Sequence, residues 1–64
     1  MNRFTVQIES KTEKTEVVAF TSFHSASRFF KSWVCDAGIS GVFLLSREED
    51  GKFIELGRWI NMGA

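Results

Sequence analysis

The sequence predicts an α+β fold in which a four-stranded, mostly antiparallel sheet carries a single helix on one face. Three observations lead to this prediction: strand-like alternation near both ends of the chain, helical spacing of apolar residues in the middle, and turn signals between these segments. A chain of 64 residues has room for one hydrophobic core, so we expect a single compact domain spanning residues 1–64.

A first hairpin is predicted near the N-terminal end of the chain. Residues 3–9 alternate between polar side chains and the apolar Phe4, Val6 and Ile8, which is the pattern of a half-buried strand. A short polar loop follows, and residues 15–20 then form the second predicted strand. The shortness of the loop indicates that the two strands pair directly.

The middle of the chain is predicted to form a helix over about residues 22–37. Thr21 or Ser22 is a suitable N-cap, because its hydroxyl can accept a hydrogen bond from a free amide of the first turn. Gly38 is suited to the left-handed conformation that commonly follows a helix. Five apolar residues recur at steps of three and four and therefore share one face: Phe23, Ala26, Phe30, Val34 and Ala37.

A second hairpin is predicted towards the C-terminal end. Residues 41–46 form a largely apolar run that is typical of a strand covered on both faces, and residues 52–60 form the last strand. The dipeptide Asp50-Gly51 between them is a strong turn signal, because both residue types tolerate positive φ.

The resulting order of strand, strand, helix, strand, strand resembles the β-grasp arrangement of protein-G-like immunoglobulin-binding domains. The resemblance covers nearly the whole chain but concerns only the order of the elements, and no family motif accompanies it. It implies that the first and last strands meet at the centre of the sheet and that the helix crosses one face diagonally. The same elements with a different strand order, or in a swapped dimer, are the alternatives.

The residue types that most often carry catalysis are sparse, so we expect a protein that is not an enzyme and needs no cofactor or metal. His24 and Cys35 lie eleven residues apart on the predicted helix, roughly 16 Å along its axis, too far for a nucleophile and its base. The acidic segment 48–50 lacks the spacing of a calcium loop and is interpreted as a solvated turn.

The same composition bears on where the protein works. Cys35 is the only cysteine, and the N-terminal residues lack the apolar segment of a secretory signal, which together predict a cytoplasmic protein. No apolar run approaches the roughly 18 residues of a transmembrane helix, so no membrane partner is expected.

The apolar content of the second hairpin exceeds what one helix can cover, and this excess predicts a contact surface. Four residues are predicted to share the face that lies away from the helix: Phe43, Leu45, Phe53 and Trp59. Gly57, which has no side chain, would leave a notch beside them where a partner could approach.

Alternation alone does not decide which face of the last strand is exposed. The opposite assignment places Phe53 and Trp59 in the core and exposes Ile54, Leu56 and Ile60. Under either assignment, the surplus favours a small protein-interaction module (an inhibitor, adaptor or accessory factor) that binds another protein or itself as a homodimer. Small size alone suggests a factor of the kind that phages and mobile elements encode.

A nucleic-acid-binding regulator is the alternative function. Four basic residues could contact phosphates while neighbouring aromatic rings stack on bases: Arg28, Lys31, Arg47 and Arg58. Against this, eight Lys and Arg residues balance eight Asp and Glu residues, whereas proteins that bind phosphates usually have a basic excess. The two functions differ in salt dependence, because phosphate contacts weaken steeply as salt concentration rises.

Overall fold

The computed structural model describes residues 3–12 and 14–61 and contains four strands and one helix in these ranges. In chain order they are β1 (Phe4–Ser10), β2 (Thr15–Phe20), α1 (Phe23–Trp33), β3 (Ile39–Arg47) and β4 (Phe53–Ile60). The predicted α+β class and the order of the elements are confirmed. No helix in the described ranges has the length and hydrophobicity needed to cross a lipid bilayer.

The four strands form one sheet in the order β2-β1-β3-β4, and every neighbouring pair is antiparallel. The implication of the β-grasp resemblance that the first and last strands meet at the centre is therefore wrong: β1 pairs with β3, and β4 lies at an edge. The physical reason lies in β3, whose long apolar run is mostly buried and needs strands on both sides. Strand β4 contains charged residues and a glycine, which an edge position tolerates.

The hydrophobic core lies between α1 and one face of the sheet, which we call the covered face. Val6 and Ile8 of β1 meet Val42 and Leu44 of β3 there, and Ala26 of α1 packs against them. Half-buried aromatic residues surround this cluster: Phe4, Phe20, Phe29, Phe30, Trp33 and Trp59. Large rings at the margin of a small core shield it from water where the sheet and helix alone leave gaps.

Helix α1 begins as predicted and ends earlier than predicted. The Ser22 side chain accepts a hydrogen bond from the Ser25 amide at 3.4 Å, which is the expected N-cap. The helix stops at Trp33 rather than near residue 37, and Cys35, not Gly38, adopts the positive φ of 72°. Because Ala26, the two adjacent phenylalanines and Trp33 already cover the core, the chain can leave the helix and reach β3 at Ile39.

Strand β4 contains one extra residue relative to its partner β3. Leu44 is opposite Gly57 whereas Leu45 is opposite Glu55, so Leu56 has no partner residue in β3. Such a β-bulge reverses the alternation of side chains beyond it. This irregularity decides which residues of β4 share a face, and it therefore positions the candidate site.

Candidate functional site: the open face and edge strand β4

The sheet face that lies away from α1, which we call the open face, follows from the strand register. Directly paired residues share a face, and the pairs that flank the core pairs belong to the open face. In this way β1 and β2 contribute mainly polar or small residues: Thr5, Gln7, Glu9, Thr15, Val17 and Ala19. Strands β3 and β4 contribute a more apolar set with one ion pair: Phe43, Leu45, Phe53, Glu55, Arg58 and Ile60.

Three of the four residues predicted to form the contact surface lie on the open face, namely Phe43, Leu45 and Phe53. The placement of Trp59 beside them is wrong, because Trp59 pairs with the buried Val42 and packs against the core on the covered face. The cause is the extra residue in β4, which separates Phe53 and Trp59 although both are at odd positions.

The opposite assignment is confirmed in part. Trp59 packs against the core, and the three residues that this assignment exposes are exposed: Ile54, Leu56 and Ile60. Phe53 is on the open face and 55% exposed, so it is not a core residue. Ile60 pairs with Gly41 and lies on the open face, whereas Ile54 pairs with Ser46 and lies on the covered face. The exposed apolar residues of β4 are thus distributed over both faces of the strand.

An ion pair lies at the centre of the open face of β4. The Nε and one terminal nitrogen of Arg58 donate to the two carboxylate oxygens of Glu55 at 2.6 and 2.8 Å, in the two-point geometry that favours arginine. These hydrogen bonds lower the pKa of Glu55 and raise the pKa of Arg58. In a regular strand, side chains three residues apart point to opposite faces, so the β-bulge is what allows this pair to form.

The ion pair borders a groove with both polar and apolar lining residues. The guanidinium carbon of Arg58 lies 6.0 Å from the ring centroid of Phe43, at the limit of a cation–π contact. The groove has a volume of about 280 Å³ and opens widely to solvent, with seven lining residues: Gln7, Glu9, Phe43, Leu45, Phe53, Glu55 and Arg58. Its shape suits a side chain or strand from another molecule better than an enclosed small ligand.

Strand β4 also carries most of the exposed apolar side chains in the described part of the chain. Four of the six large apolar residues that are exposed there belong to it: Phe53, Ile54, Leu56 and Ile60. Their exposed fractions range from 41% to 55%, and they project from both faces of a strand with no neighbour on its outer side. A concentration of exposed apolar side chains on one edge strand is typical of an interaction site.

The backbone of β4 offers a second element of recognition. The Asn61 amide donates to the Ser40 carbonyl at 2.9 Å, and the Glu48 amide donates to the Lys52 carbonyl at 2.7 Å. Hydrogen-bonded and non-hydrogen-bonded residue pairs alternate in an antiparallel ladder. Counted from these two bonds, four residues direct their amide and carbonyl groups away from β3: Phe53, Glu55, Arg58 and Ile60.

The four basic residues considered for nucleic-acid contact do not form one cluster. Arg28 and Lys31 are exposed on α1, which packs on the covered face, whereas Arg47 and Arg58 belong to the open face. The charge of Arg58 is moreover matched by Glu55. The structure thus separates the helical pair from the strand pair by the thickness of the sheet.

The remaining titratable candidates lie apart from the open face. His24 is exposed in the first turn of α1, and Cys35 is exposed beyond the end of the helix. The acidic residues 48–50 belong to the tight connection between β3 and β4. Within the described ranges no group of three His, Cys, Asp or Glu residues is arranged to hold a metal ion.

No protein-family model, curated protein or solved structure gives a significant match to this chain.

Proposed function

We propose that the protein is a non-catalytic protein-interaction module whose binding surface is the outer side of β4 together with the neighbouring part of the open face. The observation that carries this proposal is the combination of exposed apolar side chains and outward-directed backbone groups on the same edge strand. An added strand can satisfy those backbone groups while its side chains cover the apolar ones.

The ion pair helps to select the partner and to fix its orientation on this surface. Glu55 and Arg58 bring one negative and one positive group to an otherwise apolar strand. Charges placed in this way contribute more to the choice of partner and its orientation than to the strength of binding. We infer a partner that presents an extended, largely apolar segment with charges of both signs, as an inhibitor or adaptor would encounter on a larger protein.

Two matched substitutions test the proposal. Phe53→Ser removes an exposed apolar residue from the open face of β4, and Val17→Ser removes one of similar exposure, 61%, from the open face of the opposite edge strand β2. Both variants should fold, as measured by circular dichroism. Self-association is measured by analytical ultracentrifugation, and capture of proteins is measured from a lysate with and without nuclease treatment.

We expect Phe53→Ser to weaken self-association or protein capture about tenfold or more, and Val17→Ser to leave both close to the wild type. If Phe53→Ser behaves as the wild type in both measurements, the proposed surface is wrong. If binding depends on nucleic acid in the lysate and falls steeply with salt concentration, a phosphate-binding function replaces the proposal.

A further inference from the structure

We propose that the occupant of edge strand β4 is the β4 strand of a second copy of this chain. The two strands run antiparallel about a two-fold axis perpendicular to the sheet, which passes between Leu56 and Gly57 of both copies. The two four-stranded sheets then become one continuous sheet. This inference rests on the proposed function and specifies its partner.

The charge pattern of β4 favours a second copy of the same strand as its partner. Antiparallel pairing about this axis puts Glu55 of each copy opposite Arg58 of the other, because the two residues lie at equal distances on either side of the axis. The strand contains no other charged residue. Both cross-copy positions therefore pair opposite charges, and the ion pair within each copy becomes part of a network of four charges.

The β-bulge in β4 allows this pairing register. In a regular strand, residues an odd number of positions apart lie on opposite faces, so a pairing of Phe53 with Ile60 would force opposite faces together. The extra residue Leu56 removes this conflict, because Phe53 and Glu55 before it lie on the open face together with Arg58 and Ile60 after it. With the β-bulge, the paired positions at equal distances from the axis between Leu56 and Gly57 lie on the same face of the sheet.

The direction of the backbone groups of β4 fits the same register. The four residues with amide and carbonyl groups directed outward are Phe53, Glu55, Arg58 and Ile60. In the proposed register each of these is opposite another member of the same set. All four positions can therefore form hydrogen-bonded pairs across the interface, which a shift by one residue would prevent.

The apolar side chains follow the same symmetry. Phe53 is opposite Ile60 on the open face, and Ile54 is opposite Trp59 on the covered face. At the axis, the exposed Leu56 of one copy is opposite Gly57 of the other, which has no side chain to obstruct it. A small domain with a limited core gains stability when such residues are covered by a second copy.

The register is tested with two single charge reversals. Glu55→Arg gives a β4 strand with two positive groups, and Arg58→Glu gives one with two negative groups. Each variant alone should dimerise at least about tenfold more weakly than the wild type, because like charges then meet at both cross-copy positions. Mixed in equal amounts, the two variants should form a heterodimer with near wild-type affinity, since every cross-copy pair is again opposite in charge.

The double variant Glu55→Arg/Arg58→Glu retains the ion pair within each chain. It is the control that separates repulsion between like charges from misfolding of the single variants. It should dimerise as the wild type does, because both copies carry the same exchange. Dissociation constants are measured by analytical ultracentrifugation, and folding is checked by circular dichroism. A wild type that remains monomeric at about 1 mM, or a mixture that does not associate, would overturn the inference.

These results are separable from the proposed function. If the wild type is monomeric but Phe53→Ser still lowers capture of another protein relative to Val17→Ser, the second copy is wrong and the interaction surface stands. If the double variant dimerises but the mixture of single variants does not, self-association uses a different register, and the inference is wrong. If neither dimerisation nor capture responds to changes in β4, both proposals fail.

Discussion

The two edge strands of this sheet, β2 and β4, differ in how well they are protected from pairing with a strand of another molecule. Strand β2 directs Val18 and Phe20 to the covered face, where the centroid of the Phe20 ring lies 5.2 Å from that of Phe29. Its exposed residues are small or polar apart from Val17. Glu16, the second residue of β2, places a charge on the covered face of this edge strand. An inward-directed charge on a short edge strand discourages pairing with another sheet.

Strand β4 lacks these protective features. Helix α1 packs over β1, β2 and β3, so the apolar residues of β4 extend beyond the helix. Ile54 is the second residue of β4 and lies on the covered face, as Glu16 does in β2, and it is 47% exposed. In the described part of the chain, exposed large apolar side chains are thus concentrated on β4, with single ones on β2 and α1, which is why we assign binding to β4.

The largest expected effect concerns the stability of the protected edge. Phe20→Ala removes the ring that joins β2 to Phe29 and should lower the free energy of unfolding by about 2–3 kcal/mol, below the value for a fully buried ring. Phe53→Ala, on β4, is the matched control and should lower the stability of the monomer by less than about 1 kcal/mol. Urea denaturation at low protein concentration measures both. Equal losses from the two variants would contradict the contrast between the edges.

The second largest effect is expected from a charge on the covered face of β4, the feature that Glu16 gives to β2. Ile54→Lys puts a charge on the covered face of β4, and it should weaken dimerisation about tenfold, because the charge must be buried or displaced when another strand pairs there. The monomer should remain folded, since Ile54 is exposed at the margin of the core. Sedimentation velocity over a concentration series measures the dissociation constant.

The reciprocal change removes the charge from the covered face of β2. Glu16→Ile removes the charge from β2 and should allow association through this edge as well, giving species larger than a dimer at high concentration. If Glu16→Ile remains a dimer and Ile54→Lys dimerises like the wild type, edge protection by charge does not explain the difference between β2 and β4.

Local patterns in the sequence were enough to predict the elements, because each pattern reflects short-range chemistry. The alternation of residues 3–9 predicted β1, and the hydroxyl of Thr21 or Ser22 predicted the start of α1, where Ser22 is the N-cap. Gly51 occupies the predicted turn with φ of 87°. The end of α1 was less predictable. It depends on how much helix is needed to cover the core, which is a property of the packed structure rather than of the spacing of Val34 and Ala37.

Strand order and the faces of β4 could not be predicted in this way. The order depends on which strand needs neighbours on both sides, and the length of the buried run in β3 was the available signal. The β-bulge also left a trace that the alternation concealed. A glycine within a strand commonly accompanies a bulge, and Gly57 lies between Glu55 and Arg58, whose opposite charges pair only if they share a face.

A smaller effect is expected from acid. The hydrogen bonds from Arg58 hold the pKa of Glu55 below its ordinary value of 4.5, so the ion pair stabilises the folded protein above about pH 4.5. This contribution is lost as the pH falls through the lowered pKa, because the carboxylate is then protonated in the folded state too. The free energy of unfolding is measured between about pH 7 and pH 3 for the wild type and Glu55→Gln.

The difference between these two proteins should be constant near neutral pH and vanish in acid. Glu16→Gln is the matched control on β2, since Glu16 forms no ion pair among the described residues. A difference that persists unchanged at the lowest pH would show that the effect of Glu55→Gln does not come from its charge.

The smallest effect is expected at the bulge itself. A Cβ on Gly57 would lie 3.7 Å from the Leu44 Cβ and 3.7 Å from the Phe30 Cζ, which are ordinary van der Waals distances. Gly57→Ala should therefore change the stability of the monomer by no more than about 0.5 kcal/mol, because the reduced entropy of the unfolded chain offsets any small adjustment. Gly51→Ala is the control, since φ of 87° disfavours a side chain there, and it should destabilise the protein by about 1 kcal/mol. Urea denaturation of both variants measures this difference.

Because Leu56 of a second copy faces Gly57 in the proposed dimer, the added methyl group should weaken dimerisation more than it changes folding. An equal effect on dimerisation and folding would place the contact elsewhere along β4.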